Sequence, residues 1–137
     1  MQLSRLIWTS RRNPDEKLDM MRLIQQSVSA NQQDYVTGLL WYDGQHFIQV
    51  LEGGREIVSE LYLRIAQDPR HFDVRLISVE DIDVREFEEW AMGLAYDGSD
   101  GANLGKHIKY SPHKDVEPSQ LRAGSVLNLL KECRENL

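Results

Sequence analysis

Residues Tyr35 to Gly53 read YVTGLLWYDGQHFIQVLEG. Two apolar runs flank Asp43-Gly44, a pair suited to the φ > 0 positions of a tight hairpin turn, so the stretch predicts two antiparallel strands. One uncharged polar residue, Gln49, interrupts the second run between Ile48 and Val50. A buried amide has two donors and two acceptor sites to satisfy, and leaving such groups empty costs about 1–3 kcal/mol. Two explanations stand: Gln49 faces outward or lies at an edge, or a ligand meets it in the middle of the sheet.

Upstream of the hairpin, Leu3 to Thr9 has strand composition and runs into Ser10-Arg11-Arg12-Asn13-Pro14. Asn13 as N-cap, Pro14 at the first helical position, and Asp15 and Glu16 in the first turn predict a helix starting there. Met20, Leu23, Ile24, Ser27 and Val28 keep helical spacing, and this helix runs out near Ala30-Asn31. Downstream, Gly53-Gly54 ends the hairpin, and Arg55 to Asp68 reads as a second helix with Val58, Leu61, Tyr62 and Ile65 on one face, closed by Pro69. Phe72 to Ile82 alternates as a fourth strand, Glu86 to Trp90 reads as a helical turn, and Ala91 to Tyr96 as a short fifth strand.

Asp97 to Gly105 is a Gly- and Asp-rich connector, and Pro112 and Pro118 bracket more loop. Ser119 is placed to cap a last helix whose stripe is Val126, Leu129, Leu130, Cys133 and Leu137. The order strand, helix, strand, strand, helix, strand predicts an α+β, ferredoxin-like β-α-β-β-α-β fold with a mixed, mostly antiparallel sheet and two helices on one face. If Leu6, Trp8, Phe47, Gln49 and Leu51 face those helices, then Ile7, Ile48 and Val50 form a second apolar face. The C-terminal stripe is its expected cover; a partner protein is the alternative.

Composition narrows the function. The 137 residues suit one domain, with 41% hydrophobic and 28% charged residues, enough for a core. A net charge of −6 argues against a nucleic-acid binder despite Arg5, Arg11 and Arg12 near the start. No apolar run suits a membrane span and no signal peptide opens the chain. The single cysteine, Cys133, suits a reducing, cytoplasmic setting. His46, His71, His107 and His113 show no metal-ligand spacing, and no Ser-His-Asp set or paired carboxylates stand out.

Several segments, in order, resemble one family: the opening LSRLIW-TS, Asn31 ahead of VTGLLWYDG, the strand HFIQVLEG, the helix end RIAQDPRH, the strand DVRLIS and the segment FEEWAMG. Together they span roughly Leu3 to Leu94 and resemble the BLUF domains, blue-light sensors that bind FAD. The resemblance implies a flavin-binding domain over residues 1–96 and a connector with a capping helix over 97–137. It places the flavin ring between the two helices, sandwiched by Leu23 and Ile65. Asn31 falls on the asparagine that bonds the ring's C4 carbonyl and N3–H, and Gln49 on the glutamine that contacts N5 and O4 and changes its hydrogen bonding after light. Arg64 falls on an arginine reaching the pyrimidine side, and Asp68 on an acidic position nearby. Trp90 and Met92 match a tryptophan and a methionine of the fifth strand that exchange exposure and relay the signal. His71 beside Arg70 is a further candidate for the phosphate or ribityl portion. A short family member of this kind acts through protein contacts, which implies a homo-oligomer and a downstream protein partner.

One position departs from the pattern. Where the family carries a tyrosine in the first strand, this chain has Trp8. In the family that tyrosine bonds to the glutamine and, on excitation, gives an electron and a proton to the flavin. Indole N–H only donates, whereas a phenol donates and accepts. The expectation is a flavin-binding photoreceptor module, not an enzyme, with an impaired or altered light response. Tyr35 and Tyr42 do not occupy the motif position. Two rivals are a small redox flavoprotein, against which the lack of a GxGxxG after a strand counts, and a flavin-free ferredoxin-like interaction module.

Overall fold

The computed structural model describes residues 2–97, 109–110 and 117–135. The elements are, in chain order, β1 (Leu3–Arg12), α1 (Met20–Gln33), β2 (Thr37–Tyr42), β3 (His46–Gly54), α2 (Arg55–Ala66), β4 (His71–Asp81), β5 (Gly93–Tyr96) and α3 (Ala123–Arg134). The sheet order is β4-β1-β3-β2-β5. β1 pairs antiparallel with β3 and β4, β2 antiparallel with β3, and β5 parallel with β2. This is the expected mixed, mostly antiparallel ferredoxin-like sheet, with β5 added beside β2.

Side chains alternate across the strands, so each strand feeds two cores. Leu6, Trp8, Phe47 and Leu51 pack with Leu23, Ile24 and Val28 of α1 and Leu61, Tyr62 and Ile65 of α2. Ile7, Ile48 and Val50 pack with Val126, Leu129, Leu130 and Cys133 of α3. The second apolar face is therefore covered by the C-terminal stripe; Leu137, its last predicted member, lies outside the described residues, as do most of the 97–105 connector, Pro112, His107 and His113.

Several boundaries differ from the sequence reading. The first helix starts at Met20, not at Pro14, and its N-cap is Asp19, whose carboxylate accepts from the Arg22 N–H. Asn13 is drawn away by other partners: its Oδ1 accepts from the Asp15 N–H, and its Nδ2 and backbone N–H donate to the carbonyls of Pro69 and Arg70. The helix also continues to Gln33, past Ala30-Asn31. The second helix stops at Ala66, and Glu86 to Trp90 forms bends and a turn without becoming helical. Ser119 lies in a short 3-10 turn, Pro118–Gln120, and α3 starts after Arg122 with no side-chain cap.

The hairpin turn matches expectation: Gly44 has φ 99°, and Asp43 Oδ1 accepts from the backbone of Gln45 and His46. Gly38 is required for a different reason. A Cβ there would lie 2.0 Å from the Val50 carbonyl oxygen on β3, and backbone cannot step aside without breaking the ladder. Gly38→Ala is accordingly expected to destabilise the fold by about 1–3 kcal/mol, the usual range for overpacking, as read from the midpoint of urea denaturation at unchanged slope.

Candidate functional site

Antiparallel pairing sets Trp8 of β1 directly opposite Gln49 of β3, and both side chains point to the α1/α2 face. The two are buried, and the Trp8 Nε1–H donates to Gln49 Oε1 at 2.9 Å. The other half of the amide, Nε2, donates to Met92 Sδ at 3.2 Å. Thioether sulfur is a weak acceptor, so this half is held less firmly. Gln49 thus faces inward, and protein groups on either side orient it.

A cleft opens in front of this amide, between α1 and α2. One cavity, of about 90 Å³, is lined by Trp8, Leu18, Leu23, Phe47, His71 and Asp68 among others. A second, of about 200 Å³, is lined by Gln26, Ala30, Asn31, Leu51 and Leu61. Ser27, Gln49 and Ile65 line both, so the two adjoin in front of the amide as ends of one trough. The walls are mostly aliphatic and aromatic, with a few convergent polar groups, the usual make-up of a cofactor site.

The sequence-predicted residues fall in different places along this trough. Leu23 lines one end, and Ile65 sits at the centre. Asn31 is buried at the far end, where its Nδ2 donates to the Ala91 carbonyl at 2.8 Å. Asp68 stands at the near end, and hydrogen bonds from Arg70 hold its carboxyl below the usual carboxylate range. Arg64 is exposed on a neighbouring open depression with Lys17, Asp68 and Arg70, apart from Asn31. Met92 is buried against Gln49, whereas Trp90 is half-exposed and presents its carbonyl to the Gly38 N–H. Both precede β5, which starts at Gly93, so neither is a strand residue.

His71 does not stand free for a phosphate. Its Nε2 lies 2.6 Å from the Ile65 carbonyl oxygen, which can only accept, so Nε2 carries the proton. Its Nδ1, 2.7 Å from Ser10 Oγ, then accepts the hydroxyl proton. The ring also meets Trp8 edge-on at 5.4 Å, so His71 braces the indole. Ser27, Leu40 and Phe47 were not foreseen as lining residues. Ser27 carried a signal: it is a small polar residue inside an apolar helical stripe, and its hydroxyl donates to the Leu23 carbonyl at 2.9 Å. Tyr42 donates to the Gly44 carbonyl and stacks on Phe47 at 4.7 Å, and Tyr35 is exposed, so neither takes the place of Trp8 at Gln49.

Known proteins share both the family pattern and the fold of this chain. The family model for BLUF, described as sensors of blue light using FAD, matches residues 3–93. Photoactivated adenylate cyclase subunit beta of Euglena gracilis is 36% identical over 60% of this chain, and the match covers 10% of that protein. The blue light- and temperature-regulated antirepressor BluF of Escherichia coli (strain K12) is 36% identical over 67% of the chain and 23% of its own length. Among solved structures, the dark state of BlrB, a BLUF protein, superposes with TM-score 0.77 at 27% identity, covering 99% of this chain and 98% of that one. The chain therefore spans a quarter or less of the two curated relatives it matches here.

Replacing Trp8 by Phe removes the donor to Gln49 Oε1 and leaves a buried acceptor short of a partner. The expected loss is about 1–3 kcal/mol, measured by chemical denaturation; an unchanged midpoint would show that the bond contributes nothing.

Proposed function

The chain belongs to the BLUF family of blue-light sensors that use FAD, and on that premise we propose that its flavin ring occupies the α1/α2 trough, with Trp8 restricting the glutamine that the light response depends on. The matched domain is a flavin-binding photosensory module, not a catalytic one. The residues present suit the ring. Leu23 and Ile65 offer apolar contact, while the carboxamides of Gln49 and Asn31 offer donors and acceptors to its polar edge. Asp68 stands at the mouth, and Arg64 on the adjoining depression is within the same neighbourhood through their shared lining. Bound flavin supplies the blue-light absorption.

The observation that carries the proposal about light is the Trp8 Nε1–H to Gln49 Oε1 bond of 2.9 Å. An amide turned by half a rotation would present its NH₂ to the indole N–H, donor against donor. A phenol in that place would accept from the turned amide as readily as it donates to the unturned one. Trp8 therefore favours one orientation of Gln49, oxygen toward the indole and nitrogen toward Met92, and it has no phenolic proton to pass along. Trp90 and Met92 flank the Asn31-bonded Ala91, which makes them the residues next to move if Gln49 does.

BLUF domains pass their signal to effectors, and the Euglena relative carries an adenylate cyclase in its name. For this chain the output is a homo-oligomer and a downstream protein partner in a cytoplasmic setting. The net charge of −6 supports a protein partner over a nucleic acid. Among the described residues no helix is long and apolar enough to cross a membrane, and no His, Cys, Asp and Glu group is arranged to hold a metal. Residues 1–96 form the sensing unit and 97–137 a connector and cover, a division supported by the seating of α3 on the opposite sheet face.

Two outcomes are expected. Purified protein loaded with FAD, when illuminated, shows little or no reversible red shift of the flavin band, and Trp8→Tyr restores it; a normal shift in the native chain sinks the role given to Trp8. Ser27→Phe, where the two cavities adjoin in front of Gln49, yields colourless protein with an unchanged circular dichroism spectrum. Full FAD retention by that variant would place the cofactor elsewhere.

A further inference from the structure

Glu52 is fully buried, at 0% exposure, yet it carries a carboxylate that the light-sensing chemistry does not use. It lies on β3 and points to the α3 face, opposite to Gln49 three residues earlier on the same strand. Its Oε2 accepts from Arg5 Nε at 2.9 Å. The remaining capacity goes to backbone: the Glu86 N–H at 3.0 Å from each oxygen and the Phe87 N–H at 2.6 Å from Oε1. A carboxylate receiving charge-assisted bonds from an arginine and two amides is a strong local anchor, and removing one partner of such a buried set is costly.

What it anchors is the segment that changes sides. Phe87 belongs to the core under α3, and Met92 to the core under α1 and α2. The chain between them passes from one sheet face to the other, ending with the Met92 sulfur on the Gln49 amide. The Phe87 end is fastened a second time by α3, because Arg134 Nη1 donates to the Glu86 carbonyl at 2.7 Å and to Glu86 Oε1 at 2.8 Å. The Arg134 guanidinium also sits 5.6 Å from the centre of the Phe87 ring. Just before it, Arg85 reaches the carbonyls of Glu52 and Tyr35 and the hydroxyl of Thr37.

We propose that Glu52 is a positioning residue for the Gln49–Met92 contact: by holding Glu86 and Phe87 on one sheet face, with Arg134 of α3, it sets where Met92 stands on the other. The weak acceptor at Met92 cannot hold this position by itself, since a thioether hydrogen bond contributes little. The anchor at the far end supplies the restraint. It follows that the seat of α3 and the setting of the cleft amide depend on one another. The role of Gln49 at the flavin, which the spectral part of the test uses, rests on the function proposed above; the position of Met92 does not.

The test is protection of Met92 from oxidation by brief hydrogen peroxide treatment, read by mass spectrometry, with exposed Met21 as the internal reference. It is run on the full chain with and without FAD, alongside the position of the flavin band. Glu52→Gln, nearly isosteric but with an NH₂ facing donors, and Arg134→Ala, which removes a partly buried guanidinium, are compared with Gly44→Val. The latter puts a side chain at φ 99° in the hairpin turn, at the end of β3 remote from Glu52, and destabilises the sheet away from this segment. The expected result is several-fold faster Met92 oxidation and a displaced flavin band in Glu52→Gln and Arg134→Ala, with neither change in Gly44→Val. Met92 as protected in both variants as in the native chain, or equally exposed in Gly44→Val, overturns the proposal. A flavin band that ignores Gln49→Leu would instead refute the flavin contact at Gln49, and the oxidation rates would still decide the role of Glu52.

Discussion

Trp8 and Gln49 face each other across two central strands, and the hydrogen bond between them governs much of what surrounds it. A buried amide must find partners inside the protein. Here the partner on one side is a group that can only donate, so the amide oxygen is committed to it and the nitrogen turns to Met92. That commitment fixes the polar wall of the cleft. It also explains why the surroundings of Trp8 are so well braced, with His71 edge-on to the indole and tied in turn to Ser10 and to the last turn of α2.

The sheet serves two masters. One face carries the cleft and its helices, and the other carries α3. Strands buried on both sides leave little apolar surface for water, but any polar side chain within them must be answered locally. Gln49 is answered on the cleft face, and Glu52 on the α3 face by Arg5 and the backbone of Glu86 and Phe87. These two polar residues of β3 are linked by the segment that runs from Phe87 to Met92. A fold of this kind couples its two faces through a short length of chain held at both ends, without requiring any element to move as a whole.

How much of this was legible beforehand depended on the kind of signal. The hairpin was legible because Asp43-Gly44 imposes a backbone conformation few other pairs adopt, and Gly44 takes it. The helical stripes of α2 and α3 were legible because burial recurs at the helical period. The start of α1 was not. Asn13, Pro14 and two acids make a plausible helix opening, but β1 extends to Arg12 and long-range bonds from Asn13 to the Pro69–Arg70 loop compete for the same groups. A cap is a local preference worth about 1 kcal/mol, and tertiary partners outweigh it. Trp90 and Met92 were assigned to a strand that starts just after them, because pairing with β2 begins only at Gly93. Within the site, Leu23, Ile65, Gln49 and Asn31 line the trough, Asp68 stands at its mouth and Arg64 lies outside it.

The sequence alone determined the order of elements, the two-sided apolar sheet, the kinship with flavin-binding light sensors and the presence of tryptophan where a tyrosine stands in that family, since each of these is written in residue type and spacing. Only the tertiary structure decided which way the Gln49 amide points, that Met92 lies inward and Trp90 half out, that His71 spends both nitrogens on the protein, and that Glu52 ties the far end of the Met92 segment to the α3 face. Those outcomes depend on which donors and acceptors meet across distant parts of the chain, and hydrogen-bond partners brought together by folding leave no periodic trace along it.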